Sequence, residues 1–69
     1  MLIHVNGEER PLEEGTTVLD LLKREKVETP EMVSVQLNGR FVDSEDLGTT
    51  VIGEDDAVDY LYFMSGGQI

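Results

Sequence analysis

Residues 3–22 read IHVNGEERPLEEGTTVLDLL, and along this stretch the apolar pattern changes from that of a strand to that of a helix. At its start, Ile3 and Val5 share one face and their neighbours the other, which is the two-residue period of a β-strand. An Asn-Gly pair follows, and it favours a tight hairpin because both residues tolerate a positive φ. We therefore predict two antiparallel strands, over residues 2–6 and 8–12.

One amphipathic helix is predicted to begin after Thr17. Thr17 and Asp20 form a Thr-x-x-Asp version of the capping box, in which the hydroxyl accepts a backbone hydrogen bond. Val18, Leu21 and Leu22 fall at positions i, i+3 and i+4, so they share one face of the helix. Three basic residues occupy the last turns: Lys23, Arg24 and Lys26. Cations suit the negative end of the helix dipole, so we interpret them as helix-end charges and not as a binding patch.

The second half of the chain again alternates as strands do. Residues 33–47, VSVQLNGRFVDSEDL, contain a strand, a second Asn-Gly turn and a return strand. The strand is predicted to start at Met32, and a helical turn is predicted around residues 44–47. A short strand at 50–52 and a last strand at 57–64 complete the pattern.

This order of elements predicts an α+β fold, a mixed β-sheet packed on one helix. The first and last strands are expected to be parallel and central. Eight apolar residues are predicted to form the core between helix and sheet: Ile3, Val5, Val18, Leu22, Val35, Leu37, Val58 and Tyr60. The opposite face of the sheet has no helix to cover it. Residues 1–64 are the predicted domain, and residues 65–69 a flexible tail.

Size and charge limit the classes of function. Sixty-nine residues make one small domain, which buries only roughly 60% of its unfolded surface. The absence of cysteine excludes a disulfide framework, a thiolate metal site and a cysteine nucleophile. The net charge of −10 argues against nucleic acid or an anionic membrane as a partner. It favours a partner with a basic face, or serves only solubility.

The sequence contains no recognisable catalytic or metal-binding motif. His4 is the single histidine, and an isolated strand histidine is far more often a surface residue than a catalyst. Glu54, Asp55 and Asp56 lack the spacing of a calcium-binding loop. We predict no metal and no cofactor of its own. With neither a signal peptide nor an apolar segment of about 20 residues, the expected location is the cytoplasm.

Ser65, Gly66 and Gly67 follow the last predicted strand directly. Two glycines in series make a thin chain that could enter a narrow channel. At about 3.3–3.6 Å per residue, these three residues could extend roughly 10 Å beyond the fold. The alternative is a frayed terminus without a role.

Three stretches in order carry a family resemblance: residues 3–22, residues 33–47, and residues 57–67, AVDYLYFMSGG. The whole chain resembles the sulfur-carrier (ThiS/MoaD) family of the ubiquitin-like β-grasp superfamily, close to the carriers of thiamine biosynthesis. Each motif alone is common, and their order and spacing make the combination specific.

The resemblance implies a sulfur carrier and not an enzyme. In this family an ATP-dependent, ThiF/MoeB-like enzyme adenylates the carboxylate of the final glycine, and sulfur then replaces oxygen to give a thiocarboxylate. In thiamine biosynthesis, thiazole synthase receives the sulfur. Carried over to this chain, Gly67 is the reacting residue, with Ser65 and Gly66 forming the tail. ATP belongs to the partner enzyme, and the carrier alone is expected to be a monomer.

The sequence departs from the family pattern after Gly67, where it continues with Gln68 and Ile69. Within a peptide bond Gly67 has no carboxylate to adenylate. Either a peptidase removes Gln68 and Ile69, or the tail is inert. Trimmed carriers of this kind serve other acceptors too, including routes to cysteine or homocysteine. A further alternative is a ubiquitin-like interaction module without tail chemistry.

The uncovered sheet face is the predicted docking surface. Leu61 and Phe63 lie opposite the core-facing residues of the last strand, and Leu2 and His4 share their face if the two strands are neighbours. Grouped apolar side chains commonly mark an interaction site. A partner bound here would direct the tail into its active site. The alternative is that Leu61 and Phe63 pack under the loop at 43–50.

Overall fold

The computed structural model describes residues 1–27 and 29–62, which form a mixed five-stranded sheet with one α-helix on one face. The strands are Leu2–Val5 (β1), Glu8–Pro11 (β2), Val33–Leu37 (β3), Arg40–Val42 (β4) and Ala57–Tyr62 (β5). The α-helix is Val18–Arg24 (α1), and 3₁₀-helices span Pro30–Met32 and Ser44–Asp46. This architecture confirms the predicted α+β fold.

Both Asn-Gly pairs form the predicted two-residue hairpins. In the first, Asn6 and Gly7 have φ angles of 50° and 85°, and in the second, Asn38 and Gly39 have 54° and 85°. Two successive positive φ angles define the type I′ turn, whose twist matches that of the flanking strands. The turns therefore determine the registers of β1 with β2 and of β3 with β4.

The strand order is β2-β1-β5-β3-β4. β5 is the central strand and is parallel to β1, as predicted. On its other side it is antiparallel to β3. β2 lies at an edge of the sheet. Pro11 has no backbone N–H to donate, and it is tolerated there because an edge strand pairs on one side only.

The helix begins as its capping residue predicts. The Thr17 hydroxyl accepts a hydrogen bond from the Asp20 backbone N–H at 3.2 Å. The N–H of Val18 donates to the Thr50 carbonyl at 2.9 Å, so the loop after β4 also satisfies the helix start. The helix ends at Arg24, which corrects the placement of Lys26 in its last turn.

The predicted core is confirmed for six of its eight residues, which are buried: Ile3, Val5, Val18, Leu22, Val35 and Val58. Leu37 and Tyr60 are partly buried and pack against the core. Six further residues complete it: Leu12, Leu21, Val27, Val33, Leu47 and Ile52. Four of these six lie in connecting segments, so the loops supply a large part of the core.

Two further assignments differ from the sequence prediction, namely one strand that does not form and the start of β3. The short strand predicted at 50–52 is wrong, because this segment makes only an isolated bridge between Thr17 and Val51. Ile52 is nevertheless buried, because it packs into the core between helix and sheet. Met32 belongs to a 3₁₀-helix and not to β3, because Pro30 favours a turn start there.

Candidate functional site

The uncovered face of the sheet carries the two most exposed large apolar side chains of the described residues. Leu61 on β5 is 74% exposed and Phe41 on β4 is 72% exposed. Leu61 lies directly opposite Ser34 of β3, and Phe41 lies opposite Gln36 of the same strand. Cross-strand partners project from the same face, so all four side chains stand on this side of the sheet.

A shallow depression of about 390 Å³ lies between these two apolar groups. It is lined by Ser34, Gln36, Phe41, Asp59, Tyr60 and Leu61. The two apolar residues are two interstrand spacings apart across the sheet and two residues apart along β3, which together give about 12 Å. The depression thus combines a polar floor, two apolar walls and one carboxylate, and we call these six residues the β3 depression.

Leu2 and His4 stand on the same face but at its other end. His4 is paired with Ala57, four residues before Leu61, which corresponds to about 13 Å along the strand. Leu2 is 49% exposed and precedes His4 by two residues on β1, so it lies still further from Leu61. The structure therefore brings Leu61 together with Phe41, and it does not bring Leu2 or His4 to them.

The remaining predicted site residues, Phe63, Ser65, Gly66 and Gly67, lie outside the described residues, as does the predicted domain boundary at 64/65. Their roles stay predictions. Leu61 is described, and its large exposure shows that it does not pack under the loop at 43–50.

The sequence prediction did not place Phe41 on the uncovered face, although the register of its hairpin indicates this position. A two-residue hairpin at Asn38 and Gly39 places Leu37 opposite Arg40 and Gln36 opposite Phe41. Since Gln36 alternates with core residues, its partner must also point away from the core. The turn register was therefore sufficient to assign Phe41 to the uncovered face.

On the helix side, two tyrosines lie near the end of β5. Their rings are 6.5 Å apart at 71°, an edge-to-face arrangement of Tyr60 and Tyr62. Burial raises the pKa of Tyr60, and the negative charge of Glu25 and ionised Tyr62 adds to this, while Arg10 opposes it. Tyr62 remains 45% exposed, because a seven-residue helix of about 10 Å cannot cover the whole of β5.

The asparagines of both hairpin turns bind the central strand. The Tyr60 backbone N–H donates to Asn6 Oδ1 at 2.9 Å. On the other edge, the Ala57 N–H donates to Asn38 Oδ1 at 2.9 Å, and Asn38 Nδ2 donates to Asp56 Oδ1 at 3.0 Å. The two turns thus hold β5 from both sides, at different points along its length.

Within residues 1–27 and 29–62, no group of three or more histidine, aspartate or glutamate side chains could hold a metal ion. Over the same ranges, no helix has the length and apolar character required to cross a bilayer.

Comparisons with known proteins agree with the fold and the order of motifs. The model of the ThiS family matches residues 3–67. A crystal structure of the thiamine biosynthesis protein ThiS from Geobacter metallireducens superposes with a TM-score of 0.79 at 38% identity, covering 97% of this chain and all of that one. A solution structure of a thiamine biosynthesis protein from the same organism gives a TM-score of 0.78 at 37% identity, over 100% of this chain and 91% of that one.

A thiazole synthase from Magnetococcus marinus is 40% identical over 68 residues. The match includes 99% of this chain and 21% of that protein, so the chain spans about a fifth of the length of this curated relative.

Proposed function

The chain belongs to the ThiS family, and from this membership we propose that it is a sulfur carrier protein of thiamine biosynthesis, in the branch that makes the thiazole ring. The observation that carries the proposal is the extent of the family match, which runs from β1 to Gly67, the residue to which the chemistry is assigned. The two Geobacter structures support it, because they match the fold over nearly the whole chain at more than a third identity.

The proposed chemistry takes place at the carboxylate of Gly67. One carboxylate oxygen attacks the α-phosphorus of ATP and expels pyrophosphate, giving an acyl-adenylate. A sulfide-level sulfur nucleophile then attacks the acyl carbon, and AMP leaves with the oxygen it had bound. The product is a thiocarboxylate. A protein without cysteine can carry sulfur on this group, since it needs no thiol of its own.

Gly67 needs a free carboxylate for the first step. In this sequence its carbonyl carbon is bonded to the nitrogen of Gln68. The proposal therefore includes a peptidase that cleaves after Gly67 before activation. Gly66 allows the tail to enter a narrow active site, because glycine has no side chain to occlude it.

A ThiF/MoeB-like adenylating enzyme is the proposed partner of the β3 depression. Leu61 and Phe41 offer apolar contact area, and Asp59 adds a carboxylate within the same depression. The net charge of −10 would attract a partner with a basic rim and increase the association rate. We therefore expect the adenylating enzyme to present an apolar surface to Leu61 and Phe41, surrounded by basic residues. This enzyme must hold Gly67 in its active site.

Thiazole synthase is the proposed acceptor of the sulfur. The Magnetococcus relative supports this, since a stretch 40% identical to this chain belongs to a much longer protein of that name. A carrier joined to its acceptor would raise the local concentration of the thiocarboxylate. An acceptor outside thiamine biosynthesis, such as one leading to cysteine or homocysteine, is the competing assignment.

Intact mass spectrometry tests the carrier chemistry. The full-length chain, a chain ending at Gly67 and a control ending at Gly66 are incubated with the adenylating enzyme, ATP and sulfide. We expect only the chain ending at Gly67 to gain one sulfur for one oxygen. Equal conversion of the full-length chain would contradict the cleavage step, and no conversion of any chain would contradict the carrier function. Adding thiazole synthase then shows whether that enzyme consumes the thiocarboxylate.

A further inference from the structure

We infer that Asn6 is a positioning residue for the end of β5, and that through β5 it positions Gly67 for reaction. The contact itself is a structural feature of the described residues. Its effect on the reaction of Gly67 rests on the proposed carrier function.

The geometry follows from the unequal reach of two neighbouring strands. β1 ends at Val5, whereas β5 continues as far as Tyr62. The last main-chain hydrogen bond between them runs from the Asn6 N–H to the Val58 carbonyl at 2.9 Å. Alternate residues of a strand point their peptide groups to the same edge, so the Tyr60 N–H also faces β1. There the chain has already turned, and Asn6 Oδ1 takes the place of the missing strand carbonyl at 2.9 Å.

The opposite edge of β5 needs no such substitute. There the pairing with β3 continues to the partners Val33 and Tyr62. On the β1 edge, the bond from Tyr60 to Asn6 is the one nearest to Gly67 among the hydrogen bonds of the described residues. Removing the Asn6 carboxamide would therefore leave the end of β5 held along one edge only.

The end of β5 matters because the chain continues from Tyr62 to Gly67. Gly67 follows Tyr62 by five residues, a reach of at most about 18 Å. Without the Asn6 bond, β5 is held beyond Val58 by β3 alone, so its end can shift and move the point from which the chain continues to Gly67. A misplacement of about 1 Å at a reacting group can cost up to ~100-fold in rate, so even a small shift should slow the reaction of Gly67.

Asn38 provides a matched control. It occupies the same position of an identical type I′ turn, and its side chain makes two hydrogen bonds to the start of β5 and the residue before it. Replacing either asparagine by glycine keeps the turn, since Gly-Gly also adopts this geometry. Asn38→Gly should cost at least as much stability as Asn6→Gly, but it acts at the start of β5, away from Tyr62.

Amide hydrogen exchange on the full-length chain tests the contact. We expect the Tyr60 N–H to exchange faster in Asn6→Gly by at least about tenfold, relative to any change shared by the whole sheet. Asn6→Asp should restore slow exchange, because a carboxylate oxygen can accept the same bond. Unchanged exchange at Tyr60 in Asn6→Gly would overturn the inference.

Adenylation kinetics test the consequence, using chains that end at Gly67 and therefore keep all the described contacts. We expect Asn6→Gly to lower kcat by at least about twofold more than Asn38→Gly. The change in KM should be smaller, because Ser34, Gln36 and Phe41 of the β3 depression lie on β3 and β4, away from Asn6. Asn6→Asp should restore kcat. Equal kcat values for the two glycine variants would overturn the role in positioning. If the unmodified chain were not adenylated at all, the carrier function would fail, and the exchange measurement would still decide whether Asn6 holds β5.

Discussion

Lys26 occupies the backbone conformation that glycine usually adopts after a helix. Its φ angle is 66°, and it directly follows the helix cap Glu25. The Val27 N–H donates to the Leu22 carbonyl at 2.9 Å, and the Lys26 N–H donates to the Lys23 carbonyl at 3.1 Å. These two bonds form a Schellman motif, in which the left-handed residue is a lysine.

Lys26→Gly is therefore expected to stabilise the protein. A side chain in the left-handed region costs about 1–2 kcal/mol, so removing it should raise the free energy of unfolding by about 1 kcal/mol. Chemical denaturation measures the change. Lys23→Gly is the control within the helix, where the same substitution should lower stability by about 1 kcal/mol. A loss of stability in both variants would show that Lys26 is not strained.

At the scale of elements, α1 is short and depends on its packing. An isolated helix of fewer than about 12 residues is marginal in water, and α1 has seven. Val18, Leu21 and Leu22 are all buried against the sheet. Burial of this apolar face therefore stabilises α1 more than intrinsic helix propensity does.

Leu22→Ala is expected to lower the free energy of unfolding by about 2–5 kcal/mol. Leu22 is 0% exposed, so the substitution leaves a cavity between helix and sheet. Leu19 provides the control, because it lies in the same helix and is only partly buried. Thermal and chemical melts should show a clearly smaller loss for Leu19→Ala. Equal losses would contradict the assignment of Leu22 to the core.

At the scale of the whole molecule, the charge and the uncovered face are expected to act on different steps of the proposed association. The net charge of −10 acts over a distance and should speed the approach of a basic partner. The β3 depression, as the proposed docking surface, would act only once the two proteins are in contact. Raising the salt concentration should therefore slow association with the proposed adenylating enzyme, with less effect on dissociation.

Phe41→Ala and Leu61→Ala are each expected to weaken this binding by about tenfold, or about 1.4 kcal/mol. Both side chains are more than 70% exposed, so the melting temperature should hardly change. Leu2→Ala is the matched control at the far end of the same face. Titration of each of the three variants with the proposed adenylating enzyme compares the loss of affinity at the two ends. A larger loss of affinity for Leu2→Ala would move the docking surface to that end. A large drop in stability for Phe41→Ala would instead give this residue a role in the fold.

The sequence by itself determined the features that depend on residues close together along the chain. The two Asn-Gly turns, the capping residue Thr17 and the alternation along β1 and β5 each act within a few positions. For this reason the hairpins, the helix start and the two sheet faces could be predicted. The family resemblance pointed to Gly67, although local patterns alone favoured no site there.

Only the tertiary structure decided the contacts between distant segments. No turn links the parallel strands β1 and β5, so their register follows from packing of the core face, and it separates Leu2 from Leu61. The same register brings Asn6 to Tyr60, 54 residues away. Ile52 likewise looked like part of a strand, and it is the closing of the core that buries it instead. These features depend on how the elements pack, and packing has no signature in any short stretch of sequence.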